Sequence, residues 1–292
     1  MFARRDASGW QTWRHPTLEF RVLAHEIAFL EILIFIVSGI FIGIAAGLFG
    51  LGGGLLIVPV VTYSLVYFSN IAFTEAILIG IGTSLASMVL TGAMAVYAHN
   101  NNANIDYAIF KKFALGILLG SIVIGLTIKF IPGDYLRIFF IIYTFFIAYK
   151  LLNHTISKKK PSLPSAFKAN LISFTFAMIS GLLGIGGATL FVPYLIKKHI
   201  PSKLAVGTSS AFGFLIGFIT TFAMYISSTY TNTDNLSLLG YIYLPAIIYL
   251  TLPSLIFVKL SAGWLMKISD EKVKKWFALL LIFIGISMSL NH

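Results

Sequence analysis

Residues 47 to 59 read GLFGLGGGLLIVP and residues 181 to 193 read GLLGIGGATLFVP, so Gly47, Gly50, Gly52, Gly53 and Pro59 return as Gly181, Gly184, Gly186, Gly187 and Pro193 at a constant shift of 134. A second word follows each of them, Gly82-Thr83-Ser84 and Gly207-Thr208-Ser209, at a shift of 125. Two words repeated in the same order mark an internal duplication.

The chain around these words is apolar almost throughout. Of 292 residues 58% are hydrophobic and only 11% charged, with a mean hydropathy of +0.91; soluble domains carry charge on about a quarter of their residues. A bilayer-spanning helix takes about 20 apolar residues. Ten apolar segments can be marked, at 27–49, 54–69, 73–98, 113–131, 135–152, 168–185, 188–200, 204–227, 240–260 and 273–290. The reading is an all-α polytopic membrane protein of two homologous halves. Residues 1–26 form an N-terminal extramembrane segment, 27–157 the first repeat, 158–167 a basic linker with Lys158, Lys159 and Lys160, and 168–292 the second repeat. Segments 2 and 7 are short and carry Pro59 and Pro193, the expected helix-break positions of broken or re-entrant helices.

If each half crosses five times, the second copy is inverted. Loops after segments 1, 3, 5, 7 and 9 then hold 15 Lys and Arg against 6 on the other side, a positive-inside bias that places both termini outside. Equivalent loops agree: Lys197, Lys198 and Lys203 follow segment 7 while the loop after segment 2 has no basic residue, and Lys111 and Lys112 follow segment 3 while the loop after segment 8 has none. If segments 2 and 7 do not cross, a parallel 4+4 arrangement results, with a charge split that orients nothing. The 5+5 inverted repeat, with short broken helices after the glycine-rich breaks, is the expected fold.

Several functions are excluded. A net charge of +11 suggests nucleic acid in a soluble protein, but no basic cluster is interleaved with base-stacking aromatics outside the apolar segments, so nucleic acid is not an expected partner. With no cysteine, disulfides and thiolate metal sites are out. Every Asp and Glu lies near a segment end or in a loop, whereas cation carriers place a carboxylate mid-membrane. The chain carries no HExxH or GxSxG motif. Neither enzyme activity, cofactor nor metal is expected.

The glycine clusters are the candidate site. Irregular backbone is tolerated in lipid only where it is buried in protein or lines a cavity, and each helix that restarts after a break, at Leu55 and Ala188, offers free N–H groups and a positive dipole end to an anion. Two inverted copies aim two such ends at one midplane site, a known plan for transporters. The expected substrate contacts are Gly50, Gly52, Gly53, Gly54, Gly184, Gly186 and Gly187, with the hydroxyls of Thr83, Ser84, Thr208, Ser209 and Ser210 as uncharged donors; bonding of those hydroxyls back to their own helix is the competing reading. Glu75 and His99 are candidates for gating or coupling at the cavity mouth. Gly39, Gly43 and Gly47, in GxxxG spacing, and Gly116, Gly120, Gly213 and Gly217 read as helix-packing positions.

The duplicated G-L-x-G-[LI]-G-G-x-x-[LI]-x-V-P word, followed by G-T-S in each half, resembles the sulfite exporter TauE/SafE family of membrane permeases over residues 30–290. The motif falls on Gly50, Gly52, Gly53, Pro59, Thr83 and Ser84, then on Gly184, Gly186, Gly187, Pro193, Thr208 and Ser209; Ala188 departs from it where the first half has Gly54. The resemblance implies a multi-pass transporter of a bacterial-type cell inner membrane that moves small anions such as sulfite or organosulfonates. Its partners would be the lipid bilayer and a small anionic solute, with a homo-oligomer left open. Alternating access of one repeat against the other is the expected mechanism. A permease for another small carboxylate or a neutral solute, a channel, or a structural membrane protein are the alternatives.

Overall fold

With no water to bond to in a bilayer, a backbone must close its hydrogen bonds internally, and the chain does so with helices. The computed structural model describes residues 16–49, 53–152, 163–228, 237–265 and 270–290. In chain order these hold α1 (Pro16–Phe49), α2 (Gly54–Ser69), α3 (Phe73–Asn101), α4 (Tyr107–Thr127), α5 (Gly133–Leu152), α6 (Ala166–Leu183), α7 (Ala188–Lys197) and α8 (Ser202–Ser227). The ninth apolar segment opens with a small antiparallel hairpin, β1 (Leu238–Leu239) and β2 (Ile242–Tyr243), which turns at Gly240 with φ +62°. It continues as α9 (Leu244–Ala246), a π turn (Ile247–Thr251) and α10 (Leu252–Leu265), and α11 (Asp270–Leu290) ends the chain's described part.

Among the described residues five stretches are long and apolar enough to cross a membrane: Phe29–Ala46 in α1, α3, Tyr107–Phe130, α6 and α8. Gly54–Ser69, Ala188–Lys197, Leu244–Val258 and Ala278–Leu290 are shorter apolar helices. At 1.5 Å per residue the ten residues of α7 span about 15 Å, half the roughly 30 Å hydrocarbon layer. Two boundaries differ from the sequence reading. Helix α1 starts at Pro16, inside the segment expected to be extramembrane, because proline suits a helix's first turn. Neither Pro59 nor Pro193 breaks its helix, since α2 and α7 run through them. As the sixth residue of each helix, either proline deprives one carbonyl of its donor without stopping the chain's rise, so the interruption sits at the glycines before it. Residues 158–162 of the basic linker, its three lysines included, lie outside the described residues.

Packing follows the duplication. The first helix of each half lies along the fourth helix of the other: α1 along α10 and α4 along α6. Both contacts need glycine, which removes the Cβ that would strike the opposing backbone. A Cβ on Gly39 or Gly43 would meet the carbonyl of Leu250 or Ser254, and one on Gly116 or Gly120 would meet that of Asn170 or Phe174. Glycine thus stands on the first helix in one contact and on the fourth in the other. The GxxxG positions are packing positions in both.

The centre of the molecule is the α3–α8 pair. Gly92 lies against Phe214, whereas Gly217 lies against Leu85 and Met88; sequence number rises along one helix as it falls along the other, so these two equivalent helices run antiparallel. Helices α2 and α7 flank them, packed on α3 and α8 respectively, and α5 packs on α11. One cluster of buried apolar side chains joins α1, α2, α3, α5 and the chain's last helices, and a second, rich in phenylalanine, joins α4, α6, α7 and α8 around Phe113, Phe191 and Phe212.

Candidate functional site

The two glycine breaks meet. Gly53 precedes α2 in the left-handed region at φ +72°, and Gly184 ends α6 at φ +63°, conformations that glycine adopts without a Cβ clash. A Cβ on Gly54 would sit 2.5 Å from the Gly184 carbonyl oxygen, so the first half's break touches the second half's. Gly50 and Gly52 lie outside the described residues.

A cavity of about 240 Å³ runs from this junction along α3 and α8. Gly53 lines it from one break, and Gly186, Gly187 and Ala188 from the other; Thr91 and His99 on α3, Ser209 and Ser210 on α8, and Ser254 on α10 supply its polar side chains. The helix starts there are electropositive for a stated reason. In α2 the first inward bonds are from the N–H groups of Leu56 and Ile57 to the Gly53 carbonyl, and in α7 from Thr189 to Gly186 and from Leu190 and Phe191 to Gly187. The N–H groups before them have no acceptor within their own helix. His99 is the single titratable group on the lining, so the charge the cavity offers comes from backbone and hydroxyl dipoles. Among the described residues no three His, Asp or Glu side chains come together to hold a metal ion.

The duplicated Gly-Thr-Ser words do two different things. Gly82 lets the Tyr241 carbonyl approach α3, and Gly207 lets the Asn104 carbonyl approach α8. At the next residue, Thr83 Oγ1 accepts the Tyr243 N–H and Thr208 Oγ1 accepts the Asp106 N–H, each at 2.9 Å. Tyr243 and Asp106 are the residues before α9 and α4. Each Gly-Thr pair therefore anchors the start of the other half's fourth helix, and neither threonine lines the cavity. The serines diverge: Ser84 Oγ donates to the Gly184 carbonyl at 2.7 Å, whereas Ser209 Oγ is buried at the cavity without a hydrogen-bond partner among the described residues. Ser210 bonds back to the Val206 carbonyl at 3.0 Å.

Comparison with known proteins follows the same outline. The family model described as sulfite exporter TauE/SafE matches residues 35–288. The chain belongs to the TauE/SafE family. A "Probable membrane transporter protein" of Haemophilus influenzae is 33% identical over 269 residues, covering 90% of this chain and 100% of that protein. Proteins of the same description from Methanocaldococcus jannaschii and Bacillus subtilis are 28% and 25% identical, over 92% and 88% of this chain and 100% and 96% of theirs. No solved structure matches the chain.

As a TauE/SafE member the protein is a multi-pass membrane protein of a transporter family and not an enzyme. Of the expected site residues, the structure brings Gly53, Gly186, Gly187, Ser209, Ser210 and His99 together at the cavity. Gly54, Gly184 and Ser84 form the contact behind it. Glu75 is exposed in the first turn of α3, about 36 Å along the helix from His99 at 1.5 Å per residue; it stands at the far end from the cavity. Thr91 and Ser254 were missed. Thr91 follows Ser84 and precedes His99 at helical spacing, a stripe that could have been read. Glu31 was also undervalued: it sits inside the first span, where its Oε1 accepts from the hydroxyls of Ser64 at 2.8 Å and Tyr243 at 2.9 Å.

Proposed function

We propose that this TauE/SafE protein is a secondary transporter of a small sulfur oxyanion or organosulfonate, bound at the cavity between the two glycine breaks and moved by alternating access of two inverted repeats in a bacterial-type inner membrane. The observation that carries the reading is that both breaks and the unpartnered Ser209 hydroxyl converge on one cavity whose lining holds no carboxylate. A carboxylate there would repel an anion, and the N–H groups and hydroxyls present are donors that stabilise one. At about 240 Å³ the cavity is below the range of drug-sized sites and suits a small solute.

The antiparallel α3–α8 pair supports inversion, because copies related by an axis along the membrane normal would run their equivalent helices parallel. The cavity lies at the His99 end of α3 and the Val206 end of α8, the end at which α4 starts with Lys111 and Lys112 and the α7–α8 connection carries Lys197, Lys198 and Lys203. The positive-inside rule makes that the cytoplasmic side. His99, at this mouth, is the coupling or gating candidate that the geometry favours, and Glu75 belongs to the opposite face.

The test is counterflow of labelled sulfite in proteoliposomes, competed by sulfate, thiosulfate, a sulfonate and a carboxylate. Saturable counterflow blocked by sulfite and sulfonates but not by the carboxylate is the expected result. Folded protein with no anion flux overturns the reading, and block by the carboxylate alone moves the substrate to that class.

A further inference from the structure

The duplication makes it possible to ask what faces the membrane's other side. Carried across by the shift of the first word, the cavity residue Ala46 corresponds to Ser180; by the shift of the second, Ala95 corresponds to Thr220 and His99 to Met224. The packing of α1 on α10 and α6 on α4 pairs Val258 with Ile124 in the same way, since Gly39–Leu250 and Ser173–Gly116 are equivalent contacts. These counterparts do meet. A Cβ on Gly181 would lie 2.5 Å from Ile124 Cγ2 and 3.3 Å from Thr220 Cγ2, and Gly125 packs on the Thr220 carbonyl. Where one side of the breaks has a cavity, the equivalent place on the other is filled.

What fills it is unusual. Ser121, Ser180 and Thr220 are all fully buried, and the hydroxyl of each has no hydrogen-bond partner among the described residues. Other hydroxyls of α4 and α6 bond back one turn, as Thr127 does to Val123 and Thr175 to Leu171. Three orphaned donors on helices that pack together, α4, α6 and α8, are costly if they stay dry. Beyond them the junction is tied shut by Ser227, whose Oγ donates to the Gly125 carbonyl at 3.1 Å and whose own carbonyl accepts from Lys129 Nζ at 2.7 Å.

We propose that Ser121, Ser180 and Thr220 line a second vestibule, closed in this structure, that opens to the face opposite the cavity and receives the transported oxyanion there, with Ile124 and Met224 as its plug and Lys129 as the cation at its mouth. The proposal rests on the alternating-access reading above. When the vestibule opens, the three hydroxyls gain water or the anion as acceptor, and Lys129, released from the Ser227 carbonyl, faces the solute.

The chain has no cysteine, so single-cysteine variants need no background substitution. Ser180→Cys, Thr220→Cys and, as the control for the open side, Ala95→Cys would be reconstituted and treated with a membrane-impermeant methanethiosulfonate, with and without an alkylsulfonate, which unlike sulfite leaves the reagent and the mixed disulfide intact, on both sides. Ala95→Cys should be modified from the His99 side. Ser180→Cys and Thr220→Cys should be modified only from the other side, and faster with the sulfonate present. No modification of either in any condition overturns the vestibule, whatever the flux; modification without sulfite flux keeps the vestibule and overturns the substrate. Thr220→Val separates a structural role from this one. It should leave thermal stability equal or raised, since it removes an unpaired buried donor, and should lower the sulfite exchange rate about tenfold or more, the effect of one hydrogen bond to a charged group. Lower stability with unchanged exchange would make Thr220 a packing residue.

Discussion

Ser84 and Ser209 occupy the same place in the duplicated word, yet the structure gives them opposite consequences when replaced by alanine. Ser84→Ala removes the donor that holds the Gly184 carbonyl at 2.7 Å in a wholly buried setting. Orphaning a buried carbonyl costs about 1–3 kcal/mol. For a chain of this size that lowers the melting temperature by about 2–6 °C, at about 2 °C per kcal/mol. Ser209→Ala removes a hydroxyl with no protein partner among the described residues, so stability should hold or rise. If that hydroxyl bonds the anion, its loss removes a charge-assisted hydrogen bond of about 1.5–3 kcal/mol, an affinity loss of about 10- to 150-fold. Thermal unfolding in detergent and sulfite counterflow in proteoliposomes read the two effects separately. The reasoning is refuted if Ser209→Ala melts early and transports with unchanged half-saturation, for then Ser209 is a packing residue and the cavity loses its side-chain donor.

Three further outcomes are expected. Gly54→Ala puts a methyl 2.5 Å from the Gly184 carbonyl and 3.1 Å from Ser84 Oγ, so it should push the breaks apart, cost about 1–3 kcal/mol as overpacking does, and abolish counterflow while the protein still elutes as a monodisperse peak. Gly116→Val should be worse in stability, because its Cβ overlaps the Asn170 carbonyl and Ser173 Oγ at the α4–α6 contact; recovery of folded protein after detergent extraction measures this. Arg137→Ala should leave transport intact and loosen the end of α11, whose Met288 and Ser289 carbonyls Arg137 holds at 2.6 and 3.2 Å; faster amide exchange confined to that last turn checks it.

The fold was legible where the physics is local. Long apolar runs report spans because lipid offers the backbone no alternative, and nine of the ten marked segments correspond to a single helix. The ninth was harder: a hairpin, a short helix and a π turn occupy residues 238 to 251, and apolarity alone does not separate them from a continuous helix. The duplicated glycines pointed to the place where the two breaks meet beside a cavity, since a repeated break in lipid implies a buried or solvated backbone. Their neighbours Thr83 and Thr208 misled, as their oxygens are taken by the N–H groups of Tyr243 and Asp106, residues 160 and 102 positions away that no local pattern couples to them. Glu31 escaped for a similar reason: its partner Tyr243 lies 212 positions off.

The repeat departs from itself where position 54 is glycine and its counterpart 188 alanine, and the two positions have unlike surroundings in this structure: a Cβ on Gly54 would strike the opposite break, whereas Ala188 borders the open cavity. The same inequality reaches the vestibules. Ala46 and Ala95 line the open side and Ser180 and Thr220 their closed counterpart. Keeping two unpaired hydroxyls dry costs about 2–6 kcal/mol at about 1–3 each, and burying the two alanines in the reversed state carries no such cost. Under the proposed alternating access, the two halves, though copies, would not give isoenergetic end states, and the Lys129–Ser227–Gly125 tie would act against the difference by holding the closed side together. Replacing Ser180 and Thr220 together by Ala and Val should then shift the population toward the state with the cavity open at His99, read as faster modification of Ala95→Cys from that side. Slower modification would mean that those hydroxyls stabilise the closed vestibule, and that the asymmetry between the repeats lies elsewhere.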